Sequence, residues 1–286
     1  MIVLQLLVNG IVSGCGLGIM AISFSLIYST TNVLHVAHAG IYTLGGYLAW
    51  TLVGHGVPAV PAFAGAIALC AAAGVLIQRE LYDRLADRKA AELVYLIASL
   101  GLLGIIQNAL AAIYTADPLR FPLGWAGEMV GSGAIRLSVP QLLTIVAGFL
   151  IYAGTELFTR YTVLGKQIRA VSSNPFLAEI TRLRPRRIYR YVMAIASGMV
   201  CVLGILTPLD FGLRPYGGLT QLLIATVAMI AGGIGSVSGA FLVAMGIGIL
   251  QNLALLVASG DWSVAITFSI FLVFMLFKPT GLFRTS

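Results

Sequence analysis

The sequence predicts an all-α, polytopic integral membrane protein with about eight or nine transmembrane helices. Of its 286 residues, 59% are hydrophobic and only 9% are charged, whereas a soluble domain has roughly 25% charged residues. Uncharged apolar runs of about 18 residues or more recur along the chain, and each is long enough to cross a hydrocarbon core about 30 Å thick. These observations exclude an ordinary soluble protein.

The predicted spans follow one another without a linker or a soluble domain, so residues 1–286 are predicted to form a single transmembrane domain. The second, seventh and eighth runs are rich in glycine and are interpreted as broken or re-entrant helices. The first run lacks the cleavage site of a secretory signal and is kept as mature structure. The predicted spans are 6–28, 33–53, 58–78, 93–114, 138–159, 191–208, 219–235, 237–258 and 263–277.

Lysine and arginine predict the orientation. The loops 79–92 and 160–190 and the tail 278–286 together hold 14 of the 17 basic residues. Because cytoplasmic loops carry an excess of Lys and Arg, this side is predicted to be the cytoplasm, with the N-terminus outside and the C-terminus inside. The net charge of +7 is attributed to these cytoplasmic loops. The lipid bilayer is a predicted partner, and no nucleic-acid partner is predicted. Three basic residues remain on the other side: Arg120, Arg136 and Arg214.

Small residues recur at the spacing that brings membrane helices close together. Gly10, Gly14 and Gly18 repeat every fourth residue, and residues 62–74 are almost all Ala and Gly. Such faces let helix backbones approach within a bilayer. Two interpretations stay open: packing within this chain, or contact with a second membrane subunit.

Several kinds of chemistry are not predicted. The Gly-x-x-x-x-Gly-Lys-Ser/Thr pattern of an ATP-binding P-loop does not occur, and the carboxylates lie in loops or near span ends, which argues against an ion-coupled carrier. No His/Asp/Glu cluster has metal-ligand spacing, and no nucleophile has a basic partner nearby in sequence. The chain is therefore predicted to be no enzyme and to hold no metal or cofactor. Three cysteines in apolar runs are interpreted as buried hydrophobes: Cys15, Cys70 and Cys201.

The most basic stretch, "LGKQIRAVSSNPFLAEITRLRPRRIYR" at 164–190, contains a predicted short amphipathic helix. Asn174 is a good N-cap and Pro175 suits the first helical position. An apolar stripe follows at Phe176, Ile180 and Leu183, with Glu179 and Arg182 on the other face. The helix either lies on the bilayer or docks in a groove of a soluble partner. Docking would supply an ATPase to a chain that has no ATP site.

The segment "AGGIGSVSGA" at 231–240 interrupts a long apolar run with Gly232, Gly233, Gly235 and Gly239. Irregular backbone at membrane depth survives only where it is buried or lines a wet cavity, and broken helices often flank transported solutes. Alternatively, the break lies at the cytoplasmic end and is a tight hairpin between two spans.

The segment "NVLHVAHAGIYTLGGY" at 32–47 places His35 and His38 inside the apolar pattern. Intramembrane polar groups are a functional hint, and they also cross-link helices within a subunit, so both interpretations stay open. Further polar candidates of the same kind are Asn32, Tyr42, Tyr47, Gln107 and Asn108.

These features appear in the same order in a known family. The chain resembles, nearly end to end, the permease subunits of branched-chain amino acid ABC importers of the LivH type. The resemblance is carried by His38, Tyr42, Gly45 and Tyr47 in the first two spans and by Gln107-Asn108. It continues through the loop at 164–183, with Gly165, Arg169, Ala170 and Ala178 in place, the glycine segment at 231–240, and the ending "KPTGLF" with Pro279, Gly281 and Leu282.

The sequence also departs from the family pattern. Ala39 and Gly40 stand where the signature usually has Gly and Glu, so a carboxylate is missing near the presumed pathway. Arg182 stands where the cytoplasmic loop usually turns on a glycine, and Gln251 replaces a common acidic residue. These changes affect the substrate more than the mechanism, because relatives of this family import several small polar solutes.

The resemblance implies a bacterial inner-membrane permease for branched-chain amino acids or a related small polar solute. It implies a second homologous permease, two cytoplasmic ATPases that hold ATP and Mg, and a periplasmic substrate-binding protein. The alternative is a free-standing channel or secondary carrier. The candidate translocation pathway comprises Asn32, His38, Tyr42, Gln107, Asn108, Gly232, Gly233, Gly235, Ser236 and Gly239. The candidate ATPase-coupling residues, in loop 160–190, are Gly165, Arg169, Ala170, Pro175, Phe176, Ala178, Glu179, Ile180 and Leu183.

Overall fold

The fold is arranged around helix α1 (Ile2–Thr31), whose residues from Gly14 to Ile27 are all buried. A helix that is apolar on every side belongs in an interior. In this computed structural model the described residues are 2–115, 117–131 and 135–257, with 262, 265, 266, 268 and 269 beyond them. The predicted ninth span, 263–277, falls largely outside the described residues, and the tail 278–286 with its "KPTGLF" motif falls outside them entirely.

The other elements are helices apart from one small hairpin. A π-helical segment, Gln78–Tyr82, joins α3 to α4, so that residues 59–87 form one continuous helix. Strands β1 (Met129–Val130) and β2 (Leu137–Ser138) pair antiparallel, and a 3-10 turn covers Gly124–Gly127. The remaining helices are α2 (His38–Gly54), α3 (Ala59–Ile77), α4 (Asp83–Asp87), α5 (Glu92–Tyr114), α6 (Val139–Tyr161), α7 (Val163–Ser173), α8 (Pro175–Ile180), α9 (Pro185–Phe211), α10 (Gly218–Gly232) and α11 (Val237–Ala254).

The predicted polytopic all-α class is confirmed. Within the described part of the chain, six helices are long and apolar enough to cross a membrane, and α10, at 15 residues, is a shorter apolar helix. The first eight predicted runs each correspond to a helix. The sixth run is longer than predicted, because Pro185 begins α9 at the position where proline is tolerated and the basic residues after it continue the helix.

The second predicted span is wrong at its start, since α2 begins at His38 and residues 32–37 are not helical. Asn32 has φ 53°, which ends α1, and the Ala37 amide donates to Ser99 Oγ at 2.9 Å. Residues 35–37 of this irregular stretch are buried in protein, where such backbone is tolerated because it finds polar partners. The glycines within α2 do not break it: a Cβ at Gly45 would lie 3.1 Å from Cα of Cys201, so they allow α2 to pack closely on α9.

The glycine face of α1 packs against α11 of the same chain. A Cβ at Gly14 would lie 2.7 Å from Cα of Met245, and one at Gly10 would lie 2.7 Å from Cα of Ile249. The two helices are antiparallel, because residue numbers rise along α1 from Gly10 to Gly14 while those of their partners on α11 fall from Ile249 to Met245. Of the two interpretations of this glycine repeat, packing within the chain is therefore the one observed.

Contacts between loops and helix ends define two opposite ends of the helical assembly. At one, which we call the basic end, loop 79–92 meets the start of α9: Arg186 Nη2 lies 2.6 Å from Asp87 Oδ1. The last turn of α1 also lies there, because Ser172 Oγ on α7 donates to its Ser29 carbonyl oxygen. At the opposite end, Trp50 Nε1 donates to the Arg120 carbonyl oxygen at 3.0 Å. The predicted grouping of loops 79–92 and 160–190 on one side is confirmed.

Candidate functional site

Helix α7 forms a platform at the basic end. The Gly165 amide donates to Thr162 Oγ1 at 2.9 Å, which caps α7, and a Cβ at Gly165 would lie 2.7 Å from Cα of Thr159. The glycine therefore permits the tight passage from α6 into α7. Ile168 and Val171 are buried in a cluster with residues of α1 and α9, so α7 is fixed to the assembly by its apolar face. Two candidate ATPase-coupling residues on this helix, Arg169 and Ala170, are exposed.

Helix α8 begins as predicted and presents apolar side chains outward. Asn174 Oδ1 accepts from the Leu177 amide at 3.0 Å, with Pro175 in the first turn. Ala178 is buried against the α7–α9 cluster, while Phe176 and Ile180 are 70% and 64% exposed. Large apolar side chains that remain exposed on an anchored element indicate an interaction surface. Glu179 is exposed on the same helix.

The predicted apolar stripe of Phe176, Ile180 and Leu183 is wrong at Leu183, which does not lie on the outer face of α8. Helix α8 ends at Ile180, Arg182 has φ 66°, and the Leu183 amide donates to the Ala178 carbonyl oxygen at 3.1 Å. The left-handed residue reverses the chain and turns Leu183 toward the interior cluster, where it packs. This is the position at which the family resemblance implies a glycine. Leu177, which the sequence analysis did not select, is 57% exposed beside Phe176.

An ion pair that sequence reasoning missed holds α4, at the end of the continuous helix 59–87, to α9. Arg190 donates to Asp83 Oδ2 from Nη2 at 2.6 Å and from Nε at 3.0 Å, and Gln78 Nε2 donates to Oδ1 of the same carboxylate at 3.0 Å. The Asp83 side chain is buried and Arg190 is partly exposed. The π-helical segment before α4 positions this carboxylate, and no local pattern in the sequence announces its partner 107 residues away.

The two buried histidines cross-link elements. His38 Nε2 lies 2.8 Å from Ser23 Oγ on α1, and His35 Nδ1 lies 2.6 Å from the Tyr82 hydroxyl. Their rings are 5.8 Å apart between centroids, and each has a second nitrogen without a hydrogen-bond partner in the described part of the structure. Both side chains are fully buried. This geometry favours the cross-linking interpretation of His38, since it faces none of the described cavities.

The other polar pathway candidates lie at different depths of the helical assembly. Asn32 is exposed at the basic end, where it lines a cavity of about 510 Å³. Tyr42 lines a cavity of about 300 Å³ near the opposite end. Gln107 is buried on α5, whereas Asn108 is exposed and its Oδ1 accepts from the Tyr216 hydroxyl at 3.2 Å. These residues remain candidates for the translocation pathway.

The glycine segment is a tight hairpin at the basic end, the second of the two sequence interpretations. Gly233 and Gly235 have φ of 103° and 84°, which favour glycine, and the Gly235 amide donates to Ser25 Oγ at 3.2 Å. Ser236 Oγ accepts from the Gly239 amide at 3.0 Å and caps α11. A Cβ at Gly232 would lie 2.6 Å from the Ala240 nitrogen. The turn also borders a cavity of about 240 Å³ that is lined in addition by Glu156, Arg169 and Ser172.

A polar cavity that the sequence analysis did not predict lies at the opposite end. It occupies about 510 Å³ between α1, α6, α9, α10 and α11. The signal was present as polar residues in the terminal turns of several spans, but a single sequence does not indicate which helix ends face one another. Its polar lining residues are Asn9, Ser13, Gln141, Thr144, Thr207, Asp210, Thr220, Gln221, Gln251 and Asn252. We refer to it below as the polar cavity.

A platform at one end and a polar cavity at the other suit a transport protein, and comparison with known proteins agrees. The sequence profile described as "Branched-chain amino acid transport system / permease component" matches residues 6–276. The chain belongs to this family. The chain is similar to the high-affinity branched-chain amino acid transport system permease protein BraD of Pseudomonas aeruginosa, with 27% identity over 98% of this chain and 95% of the relative.

Two further relatives of this permease carry the name LivH. LivH of Salmonella typhimurium and LivH of Escherichia coli strain K12 are both described as high-affinity branched-chain amino acid transport system permease proteins, and each is 25% identical over 98% of this chain and 94% of its own length. Among solved structures, the fold is similar to "PsaBC from Streptococcus pneumoniae in complex with Fab", with a TM-score of 0.52, 14% identity, and coverage of 93% of this chain and 90% of that chain.

Proposed function

We propose that this chain is the membrane-spanning permease of a bacterial ABC importer for branched-chain amino acids or a related small polar solute. The observation that carries the proposal is the exposed apolar pair Phe176 and Ile180 on a helix anchored at the basic end. The family and the three permease relatives support the same role. The role is transport and not catalysis, since the proposed source of energy is a partner.

The proposed partners are a second homologous permease, two cytoplasmic ATPases and a periplasmic substrate-binding protein. ATP and Mg belong to the ATPases. Because the segments that flank α8 are rich in arginine, with Arg169 before it and Arg182 and Arg184 after it, the docking groove on the ATPase is expected to be apolar at its centre and acidic at its rim. Helix-in-groove recognition of this kind places a few apolar anchors into a hydrophobic cleft.

The orientation follows from the same surface. Loops 79–92 and 160–190 lie together at the basic end and carry most of the basic residues, so this end is proposed to face the cytoplasm in the inner membrane. The N-terminus is then outside, because α1 begins at the opposite end. The polar cavity faces the periplasm, where the binding protein would release its solute.

The proposed mechanism transmits motion from α8 to the polar cavity. ATP-driven closure of the ATPases pushes on residues 165–184. Helix α7 contacts the last turn of α1 through Ser172 and Ser29, and Ser25 on α1 accepts from Gly235 in the α10–α11 turn. Helices α1 and α11 both reach the polar cavity. A displacement at the basic end therefore has a continuous packed route to the cavity, and each nucleotide state favours one of two arrangements.

The test is affinity purification of the tagged chain, expressed with its neighbouring genes, in mild detergent. The proposed function predicts that two ATPases and a second permease are recovered in stoichiometric amounts and identified by mass. A chain recovered alone or as a plain homo-oligomer would remove the role assigned to α8 and favour a free-standing channel or carrier.

A further inference from the structure

The polar cavity has the dimensions of a small-molecule site. It occupies about 510 Å³, within the roughly 300–1,000 Å³ typical of ligand pockets. On α1 its lining extends from Asn9 to Leu17, which is about 12 Å along a helix axis at 1.5 Å per residue. It is therefore deep enough to take a solute of amino-acid size.

The chemistry of the lining changes with depth. The ends of the helices contribute polar side chains, among them Gln141 and Thr220, while the inner part contributes the buried side chains of Leu17, Leu203 and Ile224. Polar residues in membrane helices face a bundle interior or a water-filled cavity and mark solute pathways. A polar mouth over an apolar floor fits a small solute that has one charged or polar end and one apolar end.

Asp210, in the last turn of α9, is the one charged residue among the described residues that line this cavity. Ser138 Oγ donates to its Oδ1 at 2.8 Å, and Gln141 Nε2 donates to its Oδ2 at 2.9 Å. Both donors are neutral, and no basic side chain in the described part of the chain forms an ion pair with it within 4.0 Å. A carboxylate has about four acceptor sites, so two remain for a ligand.

We propose that the polar cavity is a binding site for a solute with a protonated amine, whose ammonium group is held by Asp210 and whose apolar part lies against the Leu17, Leu203 and Ile224 floor. The inference rests on the function proposed above and names the chemical class of its substrate. Two neutral donors fix the direction of the carboxylate without cancelling its charge. A free anion would be repelled there, and an uncharged amide would lose the charge-assisted hydrogen bond.

A purely structural role for Asp210 explains part of this geometry. Ser138 and Gln141 form a capping box at the start of α6, and a carboxylate beside a helix N-terminus is stabilising. That role explains the two donors, but it does not explain why a charged group lines a cavity of this size. The two roles separate experimentally, because Ser138 does not line the cavity and its removal leaves the carboxylate in place.

The first test measures the charge preference of the cavity in the membrane-inserted chain. Thr220→Cys places a thiol at its exposed mouth, and the probes are a trimethylammonium and a sulfonate methanethiosulfonate reagent of similar size. The chain without Thr220→Cys gives the background from its three buried cysteines. We expect the cationic reagent to react at least about fivefold faster than the anionic one, since Thr220 and Asp210 line the same cavity and unit charges at close range interact by roughly 1 kcal/mol even in water.

Asp210→Asn should reduce this rate ratio about fivefold or more, whereas Asp210→Glu and Ser138→Ala should largely retain it. Asp117→Asn is the matched control, because Asp117 is exposed and does not line the cavity. Three results would each overturn the proposal. Asp210→Asn could leave the rate ratio unchanged, Ser138→Ala could abolish the ratio as fully as Asp210→Asn does, or neither reagent could react with the Thr220→Cys thiol. Labelling requires no ATPase, so this result is independent of the pull-down that tests the proposed function.

The second test uses the whole transporter and two probes. L-leucine carries a protonated amine, and 4-methylpentanoate has the same branched apolar part without it. Asp210→Asn should lower the initial rate of L-leucine uptake about tenfold or more, as expected when one partner of a close charge pair is removed, and Asp117→Asn should not. The ammonium site is wrong if 4-methylpentanoate competes with labelled L-leucine in the wild type as well as unlabelled L-leucine does. It is also wrong if the Asp210→Asn variant transports L-leucine at the normal rate.

Discussion

The hydroxyl of Ser172 donates to the carbonyl oxygen of Ser29, which joins the platform helix α7 to the last turn of α1. Helix α1 is buried without interruption from Gly14 to Ile27, and from this contact to Asn9 in the polar cavity it spans twenty residues, about 30 Å. The contact is therefore the point at which a force on the basic end enters the packed interior.

Ser172→Ala should weaken the coupling between ATP hydrolysis and transport. The lost hydrogen bond costs only about 0.5–1.5 kcal/mol, so the complex should still assemble. The number of ATP molecules hydrolysed per solute imported, measured in reconstituted transporter, should rise. Ser173→Ala is the matched control, because Ser173 is exposed on the same helix. An unchanged ratio in Ser172→Ala would mean that this contact does not transmit the motion.

Gly14→Leu should destabilise the fold. A Cβ at this position would lie 2.7 Å from the backbone of Met245, so α1 and α11 must separate, and overpacking of this kind costs about 1–3 kcal/mol or more. The midpoint of thermal unfolding in detergent should fall, together with the yield of folded protein. Gly101→Leu on α5, where a Cβ meets nothing within 4 Å, should leave both unchanged. Equal behaviour of the two variants would contradict the packing of α1 on α11.

Gly233→Leu should abolish transport even where the complex assembles. Gly233 has φ 103°, a conformation that L-residues rarely adopt, so the α10–α11 turn must rearrange and release the contact between Gly235 and Ser25. Solute uptake by the assembled transporter is the readout. Gly246→Leu, in the open part of α11, is the control and should transport normally. Unimpaired uptake in Gly233→Leu would remove the hairpin from the mechanism.

Asp83→Asn should destabilise the basic end. Arg190 loses two charge-assisted hydrogen bonds to a buried carboxylate, and hydrogen bonds to charged groups contribute about 1.5–3 kcal/mol. Asp87→Asn breaks the neighbouring pair with Arg186, in which both side chains are more than half exposed, and exposed pairs contribute about 1 kcal/mol or less. Thermal unfolding of the two variants should therefore differ clearly. A loss in Asp87→Asn as large as that in Asp83→Asn would contradict the burial of the Asp83 pair.

The sequence predicted helices better than it predicted their meeting points. Uncharged apolar runs identify membrane helices directly, because the bilayer imposes their length, and Asn174-Pro175 located the start of α8 because capping is local. Leu183 failed because the prediction extended the helix past Ile180, whereas Arg182 reverses the chain. The polar cavity and the Asp83–Arg190 pair depend on residues far apart in sequence, and no local pattern indicates that they meet.

ATP-dependent uptake by proteoliposomes containing the complete transporter is the measurement that decides whether α8 couples an ATPase to this permease. Phe176→Asp combined with Ile180→Asp should abolish ATP-dependent accumulation of solute, because the two exposed apolar anchors become charged, while the chain still inserts. Phe176→Leu combined with Ile180→Val keeps the surface apolar and should retain most of the uptake. Normal ATP-dependent accumulation by the double Asp variant, or equal accumulation by the wild type without ATP, would contradict the proposed coupling.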